Sequence, residues 1–460
     1  MTNWSNFFGE KTMKYSPLLA VAISTLFIVG CDDDDEPTTQ LQAVHASPDA
    51  PLANVIVNSQ ARWTGVDYAQ ASGYASVNQG QTTLQVDVQL PGDAVATVIS
   101  PSQFDLSGEL DYTVMVVGDA DGSNNPVEAL VVTRPSEGTA TSSSLDVQVV
   151  HAATGVGDVN LYVTAPNDPL GAPLGTLGYK DFTDVLNIPA GQYRVRLETV
   201  SGNAIAFDSG EITLSGGSEL TIAAVPRDDS NSTSPVKLMV MDGSGSSLIY
   251  DMAETAEVRV GHLVDGAPDV DVFVNGAAFA PLADLMFKEI RGFIDLAAGS
   301  YDIDIFADGT TTNALIDADG VAVFAGMDYS IYAVGTVTPL SLEPLVIPEN
   351  RRPVATSAVL NITHAAANPI AASVDIYLTE NAGISGSTPA LSDVKFKDYA
   401  NGIYVAAGSY FVTITVAGQP SVVAIDSAPA TLADGVVYQV VAIDDSAGTG
   451  FNLIVSDTTD

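Results

Sequence analysis

The chain reads as all-β, folding into four tandem β-sandwich domains after an N-terminal leader. Three observations carry that reading. Lys, Glu and Arg are scarce while Val, Thr, Ile, Gly and Asp are abundant, a balance that favours short strands and turns over helices. A motif pairing a short apolar strand with a histidine recurs four times, about one hundred residues apart, so each copy opens a unit of domain size. Within each unit, period-two strands alternate with turn residues, and no long stretch shows helical periodicity.

At 460 residues the chain exceeds one ordinary domain, and 46% hydrophobic residues suffice for several cores. The formal net charge of −40 spreads over all four units. With only sixteen Lys and Arg, the composition argues against nucleic acid, whose phosphates require basic counter-charge, and against adsorption to anionic lipid. It suits the solvated acidic surface of a secreted protein. There is one cysteine, Cys31, so no disulfide forms within the chain and stability rests on the cores.

The leader comes first. Lys11 and Lys14 precede an apolar run over residues 18–30, the layout of a secretory signal. As a helix that run spans only ~20 Å, short of the ~30 Å of bilayer hydrocarbon. It ends in Ile28-Val29-Gly30-Cys31, which resembles the bacterial lipobox, and the chain's one cysteine stands where that resemblance places the lipid. Residues 1–30 are thus expected to be a lipoprotein signal peptide, Cys31 the lipidated residue, and 31–40 an acidic tether. Met13-Lys14 would make a more typical start, so residues 1–12 are either an over-called start or an extended basic region. Asp32, directly after Cys31, resembles an inner-membrane retention signal, whereas an acidic run at this place also resembles surface-exposed lipoproteins. The outer membrane or cell surface is the favoured placement, with the periplasmic face of the inner membrane as the alternative.

The repeats follow at 41–134, 145–255, 256–347 and 358–460. Their histidines are His45, His151, His262 and His364, the only four in the chain. Asn54, Asn160, Asp271 and Asp375 occupy a matching place in the next strand, the last displaced by two extra residues. An aromatic (Tyr68, Tyr179, Phe287, Phe396) is followed twelve residues later by Gly80, Gly191, Gly299 or Gly408. Lys180, Lys288 and Lys397 follow the aromatic in repeats two to four, while repeat one has Ala69. The glycine is expected to supply a positive-φ turn into an alternating strand such as Tyr301-Asp302-Ile303-Asp304-Ile305. Tyr112, Leu220, Tyr329 and Tyr438 open another strand, and a last one closes each unit. Residues 133–144 and 348–357 read as Ser/Thr/Pro-rich linkers, and the boundary at 251–256 is shorter, implying closer packing of repeats two and three.

The first motif, Val44-His45-Ala46-Ser47-Pro48-Asp49-Ala50-Pro51, and the second, Ile188-Pro189-Ala190-Gly191-Gln192-Tyr193, resemble domain-of-unknown-function family DUF4397. Repeat one departs from it at Thr82, where the second motif has tyrosine, and repeat four by its insertion. The resemblance covers essentially all of residues 41–460. It implies immunoglobulin-like sandwiches in a secreted or lipid-anchored bacterial protein, and no activity.

Each repeat offers one histidine, whereas a metal site needs three or four convergent ligands. The imidazole is therefore expected to be buried, tying the first strand to a neighbour, with the Asn or Asp further along as a candidate partner. No catalytic residue and no cofactor motif stand out. Asp119, Asp121, Asp317 and Asp319 are candidate donors for weak calcium binding, against a reading as polar turns. The function expected is that of a lipid-anchored, non-enzymatic extracytoplasmic protein. It would be a multi-domain stalk on the order of 150 Å long, if each domain adds ~35–40 Å. It would bind a protein or polysaccharide at the cell envelope through loops that vary between repeats. The alternatives are an accessory subunit of an extracellular enzyme system and a periplasmic scaffold at the inner membrane.

Overall fold

The computed structural model describes residues 37–92, 94–228, 232–448 and 450–459. The leader, Cys31 and Asp32 lie outside the described residues. Each repeat is a sandwich of two sheets, so the all-β fold of tandem sandwiches holds across the described chain. In repeat one the histidine strand Thr38–His45 lies beside Leu110–Val117, which pairs with Glu128–Pro135; the short strands Gln70–Ala71 and Ala75–Asn78 edge it on the other side. The opposite sheet runs Gln60–Val66, Ala53–Val57, Gly80–Leu90, Ala94–Leu106.

Repeats two to four repeat this order. In all four the histidine strand runs parallel to its long neighbour, placing His45 opposite Val116, His151 opposite Ala224, His262 opposite Ala333 and His364 opposite Ala442. In the immunoglobulin order the first two strands lie side by side in one sheet. Here they occupy opposite sheets, so the repeats share that architecture with a strand order of their own.

The two sheets differ in burial. The histidine strands and their parallel neighbours each hold at least five consecutive buried residues. A strand covered on both faces reads as a continuous apolar run. One face packs on the repeat's own core, as Leu145, Val147 and Val149 do in repeat two. The other packs on another repeat. Val44, Met115 and Val117 of repeat one interlock with Val150, Ala223 and Met239 of repeat two. Leu263, Tyr332 and Val334 of repeat three meet Ala365, Val441 and Ile443 of repeat four.

The extended stalk is corrected by these contacts. The repeats form two back-to-back pairs, one with two and three with four, because their histidine sheets present apolar outer faces that burial stabilises by ~25 cal/mol per Å². Residues 348–357 are likewise no free linker. Arg352 is buried and donates to the carbonyls of Pro48 (3.1 Å) and Ala50 (2.8 Å) and to Asp67 (2.6 Å) of repeat one, and to the Tyr404 hydroxyl (2.9 Å) of repeat four. Its neighbour Arg351, also buried, pairs with Glu257 and lies 3.8 Å from the centre of the Phe293 ring. Of residues 133–144, Thr133 to Pro135 continue a strand of repeat one.

Candidate functional site

The four histidines share one geometry. Each closes its strand, and the chain then turns back so that a carbonyl six or seven residues on meets Nε2. The partners are Pro51 at 3.0 Å, Gly157 at 2.8 Å, Pro268 at 3.0 Å and Ala371 at 2.7 Å. Nδ1 accepts the backbone N–H two residues on, from Ser47, Ala153, Val264 and Ala366, at 3.3 to 3.4 Å. A ring that donates at Nε2 and accepts at Nδ1 is neutral. Burial pushes the His45 imidazole down to about 4, helped by the Arg352 guanidinium. Burial also lowers His151, His262 and His364. With both nitrogens engaged, the ring pins the connection that carries the chain from the first strand in one sheet to the second strand in the other.

The partner expected from sequence, the Asn or Asp further along, is corrected to a main-chain carbonyl. Those residues brace the opposite sheet instead. Asn54 accepts from Gly65 N–H and the Gln89 amide; Asp271 from Asp284 and Gly309 N–H; Asp375 from Asp393 and Gly418 N–H. Asn160 accepts from the Thr176 hydroxyl and donates to Glu198. The carboxylates of Asp271 and Asp375 thus each tie two backbone N–H groups, whereas Asn54 and Asn160 also engage side chains.

The aromatic landmark marks an elbow that sequence reasoning left unassigned. The residue after it adopts positive φ in every repeat: Ala69 at 59°, Lys180 at 73°, Lys288 at 73° and Lys397 at 75°. Its N–H donates to the histidine carbonyl at 2.7 to 2.8 Å. The lysines then cross to the paired repeat. Lys180 meets Glu128 at 2.9 Å, Lys288 meets Asp445 at 2.7 Å and Lys397 meets Glu343 at 3.0 Å. Repeat one has Ala69 in place of lysine, and repeat two has Lys237 where repeat one has Glu128. Lys237 pairs with Asp228 and lies 4.6 Å from the centre of the Tyr68 ring. The lost cation is thus returned from the other side of the interface. Among the described residues, Arg134, Lys180, Lys237, Arg259, Lys288, Arg351, Arg352 and Lys397 form ion pairs at or beside these junctions.

The glycine landmark is partly corrected. Gly80 takes φ of 89°, whereas Gly191, Gly299 and Gly408 are not among the positive-φ glycines. In those three repeats the tyrosine two residues on lies over the glycine, and a Cβ built at Gly408 would stand 3.0 Å from the Tyr410 ring. The hydroxyls of Tyr193 and Tyr301 donate to the Pro189 and Ala297 carbonyls, both at 2.7 Å. Repeat one has Thr82 there, with no ring to accommodate.

The calcium candidates do not converge. Asp119 is buried and accepts from Thr154 of repeat two (2.7 Å), Asn124 (2.7 Å) and Ser123 (3.2 Å); Asp121 accepts from Ser123 N–H. Asp317 and Asp319 are exposed on the strand Ile316–Val323 of repeat three. Among the described residues, no three His, Cys, Asp or Glu stand close enough to hold a metal ion.

The family model of a domain of unknown function, DUF4397, matches residues 39–162, 146–248 and 256–377, more than half of the chain. No curated protein matches. A solved structure, the product complex of the multi-modular glycogen-degrading pneumococcal virulence factor SpuA, overlays with a TM-score of 0.16 at 7% identity. The overlay covers 82% of this chain and 37% of that one, and at that score it bears on neither fold nor function.

Proposed function

The chain belongs to the DUF4397 family, and from that premise we propose that it is a lipid-anchored, non-enzymatic binding protein of the cell envelope. The observation that carries this is the lipobox-like Ile28-Val29-Gly30-Cys31, with the sole cysteine at its end and an acidic tether leading into the repeats. Two features support a binding role over chemistry. All four histidines are neutral and held at both ring nitrogens, which commits the residue type best suited to proton transfer to structural work. The histidine sheets bury each other, so the four opposite sheets and their loops are the surfaces offered to an external protein or polysaccharide.

Protease treatment of intact cells, with Cys31→Ser as the anchoring control, tests this. Digestion of the repeats on intact cells and release of the Cys31→Ser chain from membranes is the expected result. Protection until the outer membrane is opened would instead favour a scaffold at the inner membrane, the placement suggested by Asp32. Continued membrane attachment of Cys31→Ser would overturn the lipid anchor.

A further inference from the structure

Repeats two and three have equivalent interiors and fill them differently. Between the sheets of repeat two lies an apolar cavity of about 380 Å³, lined by Val147, Val149, Val163, Tyr193 and Ala224 among others. The corresponding space in repeat three is lined by the matching Val258, Val260, Val274, Tyr301 and Ala333, yet holds only about 30 Å³.

The chain passing the cavity edge accounts for the difference. In repeat three Phe279 N–H bonds to the Val272 carbonyl, and a 3-10 turn, Ala280–Leu282, follows before Leu285 rejoins Val270. That turn sends Leu282 into the core at 3% exposure, with Phe279 packed beside it. In repeat two Leu174 N–H makes the same bond to the Leu161 carbonyl, but the strand Gly175–Leu177 follows directly. No turn dips inward, and Leu174 remains 52% exposed at the rim. One repeat supplies its own plug; the other lacks it.

We propose that the inter-sheet cavity of repeat two is a binding site for an uncharged molecule bearing an alkyl chain. The lining is chiefly Val, Leu and Ile, which favours a flexible aliphatic chain over a stacked ring. Its volume lies within the range of ligand pockets. It is more than twice the ~150 Å³ of an apolar cavity that stays dry and takes up benzene, so the space suits a chain. The net charge of −40 disfavours an anionic head group. The inference rests on the binding reading above for its setting, but not for its test: the site belongs to the purified protein wherever the cell places it.

The whole chain, made as Cys31→Ser so that no acyl group of its own competes, is titrated with the neutral fluorophore N-phenyl-1-naphthylamine and then with 1-decanol as displacer. Saturable binding at one site per chain, reversed by decanol, is expected. Val163→Trp fills the cavity and should weaken binding at least tenfold with the thermal midpoint held. Phe279→Ala with Leu282→Ala opens the equivalent space and should raise the stoichiometry from one to two. Absence of saturable binding, or undiminished binding by folded Val163→Trp, overturns the site. A stoichiometry that stays at one in the folded double variant also overturns it.

Discussion

In repeat three, the strand Asp328–Val337 is buried without interruption from Tyr329 to Val334, whereas Gly299–Ala307 in the opposite sheet alternates buried Ile303 and Ile305 with outward Asp302 and Asp304. The first strand is covered on both faces, by its own sandwich and by repeat four; the second is covered on one. Similar strand sequences thus do different jobs, and continuity of the apolar run separates them. One sheet joins repeats, and the other is left to face solvent.

The contrast should be largest at the middle of an interface. Tyr332, fully buried between repeats three and four, should cost about 3–5 kcal/mol when replaced by alanine, read as a shift in the urea midpoint. Phe306→Ala on the solvent face of the opposite sheet, where Phe306 meets Phe273 edge-on at 5.0 Å, should cost only ~1 kcal/mol. Equal costs would break the distinction.

Acid should act next, and through the histidine sheets. His45 has an ordinary value near 6.5 when unfolded and about 4 when folded, so the unfolded chain takes up the proton first as pH falls. The contribution is complete above pH 6.5 and lost between 6.5 and 4, about 3 kcal/mol from this residue. The other three, lowered in the same direction, add to the loss. Denaturation midpoints measured across that window should fall, and His45→Asn should flatten the dependence while lowering stability at pH 7.

The cross-repeat ion pairs rank below these. The Asp445 side chain is 8% exposed in its pair with Lys288, while both partners of Lys180–Glu128 and Lys397–Glu343 are more than a third exposed. Double-mutant cycles should give Lys288–Asp445 a coupling of ~1 kcal/mol and the other two less than about 0.5 kcal/mol. The smallest effect should come from the solvent face: Asp304 and Asp317 stand directly opposite one another, and Asp304→Asn should stabilise by ~0.2–0.5 kcal/mol in a thermal melt at low salt.

The recurring histidine was legible as a buried strand tie because nothing else in a repeat converged on it. Its partner was not, since a backbone carbonyl is supplied equally well by Pro51, Gly157, Pro268 or Ala371 and leaves no residue type to read. The elbow had a signal, an aromatic followed by Lys and then an acid, but its left-handed backbone at lysine runs against the usual preference for glycine. The pairing of repeats also had one. Tyr112 to Val117 and Leu220 to Val225 are nearly unbroken apolar runs, the mark of strands covered on both faces.

The sequence by itself determined what depends on near neighbours and on the repeat: strand periodicity, turns and the number of units. Only the tertiary structure decided which sheets meet, that Lys237 answers for the lysine missing at Ala69, and that repeat two is left with the cavity repeat three fills. The first two outcomes depend on which surfaces come together across more than a hundred residues of chain, and the third on whether a connecting turn dips between the two sheets. A local pattern specifies the faces of a strand, not what will cover them.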